Sequence, residues 1–114
     1  GQVSGNTVLA AAVGITIEDG QSVAITGNSV RLASDTGSTT GYGVRLAGSC
    51  YGCVISGNSL YNDSNLTNAR AVDFQNSVTY SAAFSNVGSK FTASTKFDLG
   101  SGTGNSAANN LEGV

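Results

Sequence analysis

Ile55-Ser56-Gly57-Asn58-Ser59-Leu60-Tyr61 is the stretch whose reading decides the fold. An apolar residue and a small polar one lead into Gly-Asn, and a hydroxyl residue leads back to an apolar one. The same frame stands at Val3-Ser4-Gly5-Asn6-Thr7-Val8 and at Ile25-Thr26-Gly27-Asn28-Ser29-Val30. A degenerate copy, Phe84-Ser85-Asn86-Val87, follows. Asn6, Asn28, Asn58 and Asn86 are separated by 22, 30 and 28 residues, a repeat lengthened by insertions. Self-similarity at such a period is the signature of a solenoid, in which each unit buries its apolar side only against its neighbours.

A second apolar pair recurs upstream of the frames, at Ile15-Thr16-Ile17, Val44-Arg45-Leu46 and Val72-Asp73-Phe74, spaced by 29 and 28 residues. Each repeat therefore reads as three short strands. The first is one of these pairs, the second spans Val23–Thr26, Cys53–Ser56 or Ala82–Ser85, and the third follows the asparagine. Within them every second residue is mostly apolar, the period of a strand with one buried face. No long stripe at the helical period appears. The expected fold is all-β: a right-handed parallel β-helix of about four coils over residues 1–90.

In such a fold the Gly-Asn frame marks the bend between the second and third strands. The asparagine is expected near the left-handed region, which its short side chain tolerates, with the glycine relaxing the backbone before it. Stacking aligns Asn6, Asn28, Asn58 and Asn86 in one structural ladder of side-chain amides. After Asn86 the repeat fades. Phe91–Leu99 alternates apolar and polar residues and reads as a capping strand. Gly100–Val114 reads as an extended tail, so residues 91–114 form the C-terminal unit.

Composition narrows function. Of 114 residues, 54 are Gly, Ser, Thr or Asn, and only 11% are charged, against roughly 25% in ordinary domains. Five scattered basic residues and a net charge of −2 give no nucleic-acid footprint. No apolar run has the length of a membrane span. No histidine is present, which excludes Ser/His and Cys/His catalysis within the chain. Cys50-Tyr51-Gly52-Cys53 lacks a second ligand pair for zinc and a βαβ context for redox work, so no metal and no cofactor is expected. Cys53 reads as a small core residue and Cys50 as a turn residue.

The G-N-S/T bends at coil spacing resemble the pectate-lyase-like β-helix superfamily over residues 3 to 91. Within it, the uncharged polar surface and the poorly repetitive tail look most like phage tailspikes or related receptor-binding spikes. The resemblance implies a homotrimer on a virion tail or an extracellular surface, binding bacterial surface polysaccharide. Four coils at about 4.8 Å each span far less than such spikes, so the chain reads as a terminal portion with a structural and binding role. Two other readings stand beside it: a polysaccharide-degrading glycoside hydrolase or lyase, and a bacterial surface adhesin.

The candidate site residues follow. Thr16, Arg45 and Asp73 share an outward column of the first strands, a face that often carries catalytic groups in the superfamily. Asp35 and Asp63 lie in the loops between third strands and the next coil. Glycoside hydrolysis commonly uses two carboxyl groups, so Asp35, Asp63 and Asp73 are the catalytic candidates. Tyr42, Tyr61, Arg31 and Arg45 are the sugar-binding candidates, being aromatic platforms and cations near turns. Ala24, Val54 and Ala83 are expected to face outward from the second strands as a small apolar stripe at the trimer interface.

Overall fold

The computed structural model describes residues 1–33 and 39–112. They form fourteen short strands and no helix. In chain order these are β1 (Gln2–Ser4), β2 (Thr7–Ala10), β3 (Val13–Glu18), β4 (Ala24–Thr26), β5 (Ser29–Leu32), β6 (Thr40–Ala47) and β7 (Val54–Ser56). There follow β8 (Ser59–Asn62), β9 (Asn68–Phe74), β10 (Ala82–Phe84), β11 (Val87–Ser89), β12 (Phe97–Asp98), β13 (Ser106–Ala108) and β14 (Leu111–Glu112). Every third strand joins the same sheet. Sheet A has the order β1-β4-β7-β10-β13, sheet B β2-β5-β8-β11-β14 and sheet C β3-β6-β9-β12. All pairings are parallel. The chain is a parallel β-solenoid with three strands per turn.

Register follows the sequence frames. Ile25 lies beside Ile55, Val30 beside Leu60, and Val44 beside Val72. Their side chains fill a continuous axis with Leu32, Leu46 and Phe74. Each is all but inaccessible, although no single turn has an interior of its own. The core exists only because like residues stack across turns.

The asparagines form the ladder. Asn28 is buried and donates its backbone N–H and Nδ2 to Asn58 Oδ1, at 2.9 and 3.0 Å. Asn58 does the same to Asn86, and Asn6 to Asn28. The left-handed residue is the one before each asparagine, which corrects the expected placement. Gly5, Gly27 and Gly57 have φ of 65–66°, and Ser85 has 58°. Glycine takes the strained backbone and leaves the asparagine free to spend its amide on the ladder.

Three expectations are corrected. Ala83 does not face outward. It pairs with Ile55 and is buried, and Ala82 takes the outward place beside Val54. The ladder sets this register: the residue three before each asparagine points inward, and before Asn86 that residue is Ala83. Phe91–Leu99 is not one strand. Only Phe97–Asp98 pairs, with Val72 and Asp73. Before it the chain turns inward. The Thr92 hydroxyl accepts from Ala69 N–H and donates to Leu66 O, both at 2.9 Å, which pins the segment over the edge of β9. The tail is not merely extended either. β13 and β14 add another level to sheets A and B, with Asn109 in the left-handed position (φ 55°) and Asn110 accepting from Asn86.

The cysteines belong to the corner between sheets C and A. Cys50 Sγ accepts from Gly20 N–H at 3.2 Å and donates to Ile17 O at 3.3 Å. Cys53 is followed one turn later by Ser81 and then by Asn105 in the same column. Cys53 N–H donates to Ser81 Oγ, and Ser81 N–H to Asn105 Oδ1. Both cysteines are free and buried. Burial pushes the Cys53 thiol above its ordinary range.

Candidate functional site on sheet C

Three strands of sheet C, β3, β6 and β9, are longer than the others, and β6 and β9 each contain a phase slip. Along β6, Gly41 and Gly43 point inward, and so does Val44, the next residue; along β9, Ala69, Ala71 and Val72 repeat this. Two consecutive inward residues bend the strand and place residues three apart on the outer side. The frame is written in the sequence as small-x-small-apolar-x-apolar: Ala12-Val13-Gly14-Ile15-Thr16-Ile17, Gly41-Tyr42-Gly43-Val44-Arg45-Leu46 and Ala69-Arg70-Ala71-Val72-Asp73-Phe74. The small residues are required by close packing. A Cβ on Gly43 would lie 2.6 Å from the carbonyl oxygen of Ala71, and one on Gly14 2.5 Å from that of Gly43.

The bend gathers two columns. Val13, Tyr42 and Arg70 stack in one; Thr16, Arg45, Asp73 and Asp98 stack in the other. Asp73 sits at the centre and is itself buried. Arg70 Nη1 donates to Asp73 Oδ1 at 2.8 Å and lies 3.1 Å from Asp98 Oδ2. Arg45 Nε approaches Asp73 Oδ2 at 3.7 Å, and its guanidinium covers the Tyr42 ring at 4.9 Å. The hydrogen bond to Asp73, more than any other influence, holds the Arg70 guanidinium above its ordinary value. The Nε atoms of Arg45 and Arg70 are shielded from solvent and have no hydrogen-bond acceptor among the described residues, so the Nη groups are what these arginines offer a ligand.

Beside the cluster lies an open depression of about 500 Å³, lined by Arg70, Asp73, Gln75, Asn76, Ser77 and Asp98 among others. Gln75 Oε1 accepts from Gly48 N–H, and Asn76 Oδ1 from Ser101 N–H. Their NH₂ groups have no partner among the described residues. The depression therefore offers neutral amide donors beside an arginine and two carboxylates. This set suits hydroxyl-rich ligands, which need donors and acceptors at close spacing.

The other sequence candidates disperse. Arg31 and Tyr61 are neighbours on sheet B, a different face. Asp63 is exposed and bound to Arg31, apart from the Asp73 cluster. Lys90 stands 5.8 Å from the Tyr61 ring. Asp35 lies outside the described residues. Arg70 and Asp98 were missed by sequence reasoning. The Ala-Arg-Ala frame pointed to Arg70. Nothing local marked Asp98, which reaches the cluster only because β12 pairs with β9.

Compared with family models, with curated proteins and with solved structures, the chain matches none. The assignment of function therefore rests on the site.

Proposed function

We propose that this chain is a structural, polysaccharide-binding segment of a surface spike, of the kind that phage tails and bacterial surfaces carry, and that sheet C is its glycan-binding face. The observation that carries the proposal is the Tyr42–Arg45–Arg70–Asp73–Asp98 cluster beside the depression that Gln75 and Asn76 line. Its groups are held on three adjacent strands of a rigid sheet, so little ordering entropy is lost on binding. Arginine forks and carboxylates engage vicinal hydroxyls in pairs, and Gln75 and Asn76 add donors.

Sheet A supplies the assembly side of the proposal. Its five strands carry no charged residue. Its outward column is Gln2, Ala24, Val54, Ala82 and Ser106, with Phe84 exposed nearby. Parallel sheets are ordinarily covered on both faces. Three copies meeting along this face would cover it and leave sheet C outward.

A depolymerase is the second reading, and one observation favours it. Asp73 and Asp98 are register neighbours on adjacent strands, and an oxygen of each lies within 3.1 Å of the same Arg70 Nη1, which holds the two carboxyl groups close together, as a retaining pair requires. Both carboxylates are already engaged by Arg70, which favours binding over turnover.

Affinity electrophoresis against a panel of capsular and O-antigen polysaccharides tests the proposal. Retardation by at least one acidic or neutral glycan is expected, with Arg70→Ala and Asn76→Ala each lowering it several-fold and Arg31→Ala leaving it unchanged. A wild-type chain retarded by none of the panel, or an equal loss from Arg31→Ala, refutes sheet C as the face. Release of reducing ends by the wild type, abolished in Asp98→Asn, would establish the depolymerase instead. Val54→Lys tests the assembly: light scattering should show a trimer for the wild type and a smaller species for the variant.

A further inference from the structure

The corner between sheets C and A carries a left-handed backbone residue at each of four successive turns. Ser22, Gly52, Tyr80 and Gly104 form this column, with φ of 53°, 67°, 50° and 77°. The first three donate their N–H groups to carbonyls of the following turn: Ser22 to Tyr51, Gly52 to Thr79 and Tyr80 to Thr103, at 3.0, 3.3 and 2.9 Å. Two of the four are glycine, which takes this conformation without a Cβ clash, and Ser22 has a short side chain. Tyr80 departs from the column. A bulky residue at positive φ is a backbone outlier, and such strain collects where a side chain serves a binding site.

Burial does not account for the ring. Tyr80 is 64% exposed, more than any other aromatic among the described residues. Its ring fills the space that a side chain at residue 104 would take: a Cβ on Gly104 would lie 2.4 Å from Tyr80 Cδ1. On the other side of it the column has Gly52, again without a side chain. Tyr51, 47% exposed, stands nearby. It is paired in register with Thr79, the residue before Tyr80, so the two tyrosine Cα atoms are at most about 9 Å apart. Each tyrosine has a turn of the solenoid on either side, Gln21 and Thr79 for Tyr51, Gly52 and Gly104 for Tyr80. The connection that carries Tyr80 also carries Gln75, Asn76 and Ser77, which line the depression beside sheet C.

We propose that Tyr51 and Tyr80 form an aromatic subsite for polysaccharide, which continues the depression on sheet C around the corner towards sheet A. The inference rests on the reading of sheet C as the glycan-binding face, and it adds a ligand chemistry: sugar rings that present an apolar C–H face as well as hydroxyls. The depression offers amide, guanidinium and carboxylate groups, and its one aromatic, Phe74, is buried. The tyrosines supply the apolar contact it lacks. A tyrosine gives a large contact area at the cost of ordering only two side-chain torsions, and its hydroxyl tip stays wet. The strain at Tyr80 is held in the free protein, so removing the side chain should weaken binding and restore stability together.

Tyr80→Gly separates this role from a structural one. It should raise the urea midpoint, because glycine relieves the φ of 50°. In gels cast with the capsular or O-antigen polysaccharide that retards the wild type most, it should lower retardation several-fold. Tyr51→Ser should lower retardation as well. Tyr80→Phe should keep most of it, because the ring and not the hydroxyl makes the contact. A lower urea midpoint for Tyr80→Gly overturns the proposal, since the ring then packs for stability. A smaller species for Tyr80→Gly in light scattering overturns it too, by placing the ring in a contact between copies, as does a loss in Tyr80→Phe equal to that in Tyr80→Gly. Retardation lost in Arg70→Ala but kept in Tyr51→Ser and Tyr80→Gly overturns the subsite alone and leaves sheet C standing. A wild type retarded by no glycan overturns both.

Discussion

Replacing Asn58 with alanine is the perturbation that most directly tests how this solenoid is held. The Asn58 side chain accepts from Asn28 N–H and Nδ2, and its Nδ2 donates to Ile25 O and Asn86 Oδ1, all at 2.9–3.0 Å. Only 2% of the residue is exposed. Truncation removes these four bonds together. Asn28 Nδ2 keeps Val3 O, and Asn86 Oδ1 keeps the Asn58 backbone N–H, so two of the former partners remain satisfied. The Asn28 backbone N–H is left buried without an acceptor, which costs ~1–3 kcal/mol. Adding ~0.5–1.5 kcal/mol for the lost bond to Ile25 O gives a total of about 3 kcal/mol. Asn6→Ala is the internal control. Asn6 is exposed, and its loss leaves Asn28 Oδ1 still filled by the Asn6 backbone N–H. No buried group is orphaned, and the expected cost is below about 1 kcal/mol. Urea unfolding of both variants at neutral pH measures the difference, the midpoint falling in proportion to the lost stability when the slope is unchanged. Equal midpoints for the two variants would refute the argument that burial of the ladder, and not its mere presence, stabilises the turns.

Ser85 and Gly57 occupy equivalent left-handed positions, and substitutions at them should have opposite signs. Ser85→Gly relieves a residue at φ 58° and should raise the urea midpoint modestly. Gly57→Ala, at φ 65° with open space around a Cβ, should lower stability by about 1 kcal/mol through backbone strain alone; a loss in both variants would contradict this. Cys53 makes a pH-dependent contribution. Its folded pKa lies above its unfolded value, so the contribution is fully present below about pH 9 and is lost as pH rises through the folded value. Wild type should therefore lose stability more steeply than Cys53→Ser between neutral and strongly alkaline pH, and identical slopes in urea titrations would show that the thiol stays protonated or ionises without cost.

The sequence alone determined the three-strand repeat, the parallel stacking and the asparagine ladder. These were legible because a solenoid writes the same local chemistry at each turn: Gly-Asn between apolar posts can be compared with itself along the chain. The Arg45–Asp73 pair was legible for the same reason, since both residues hold one place in a repeated frame. Where the repeat degenerates, that comparison fails. Ala83 is one residue out of step with the stripe expected of it, because Ser85 replaces the glycine that marks the bend. Asn110 went unread because Asn109 disguises the same position. The site itself was decided by tertiary structure. A phase slip in β6 and β9 turns residues three apart onto one face, and pairing between turns then brings Arg70 and Asp98 to Asp73. Asp98 lies 25 residues beyond Asp73 in an irregular segment. Its approach depends on where the chain re-enters sheet C, and that is set by the packing of Phe91 and Ala93 against the core and by the bonds of Thr92, not by any local pattern.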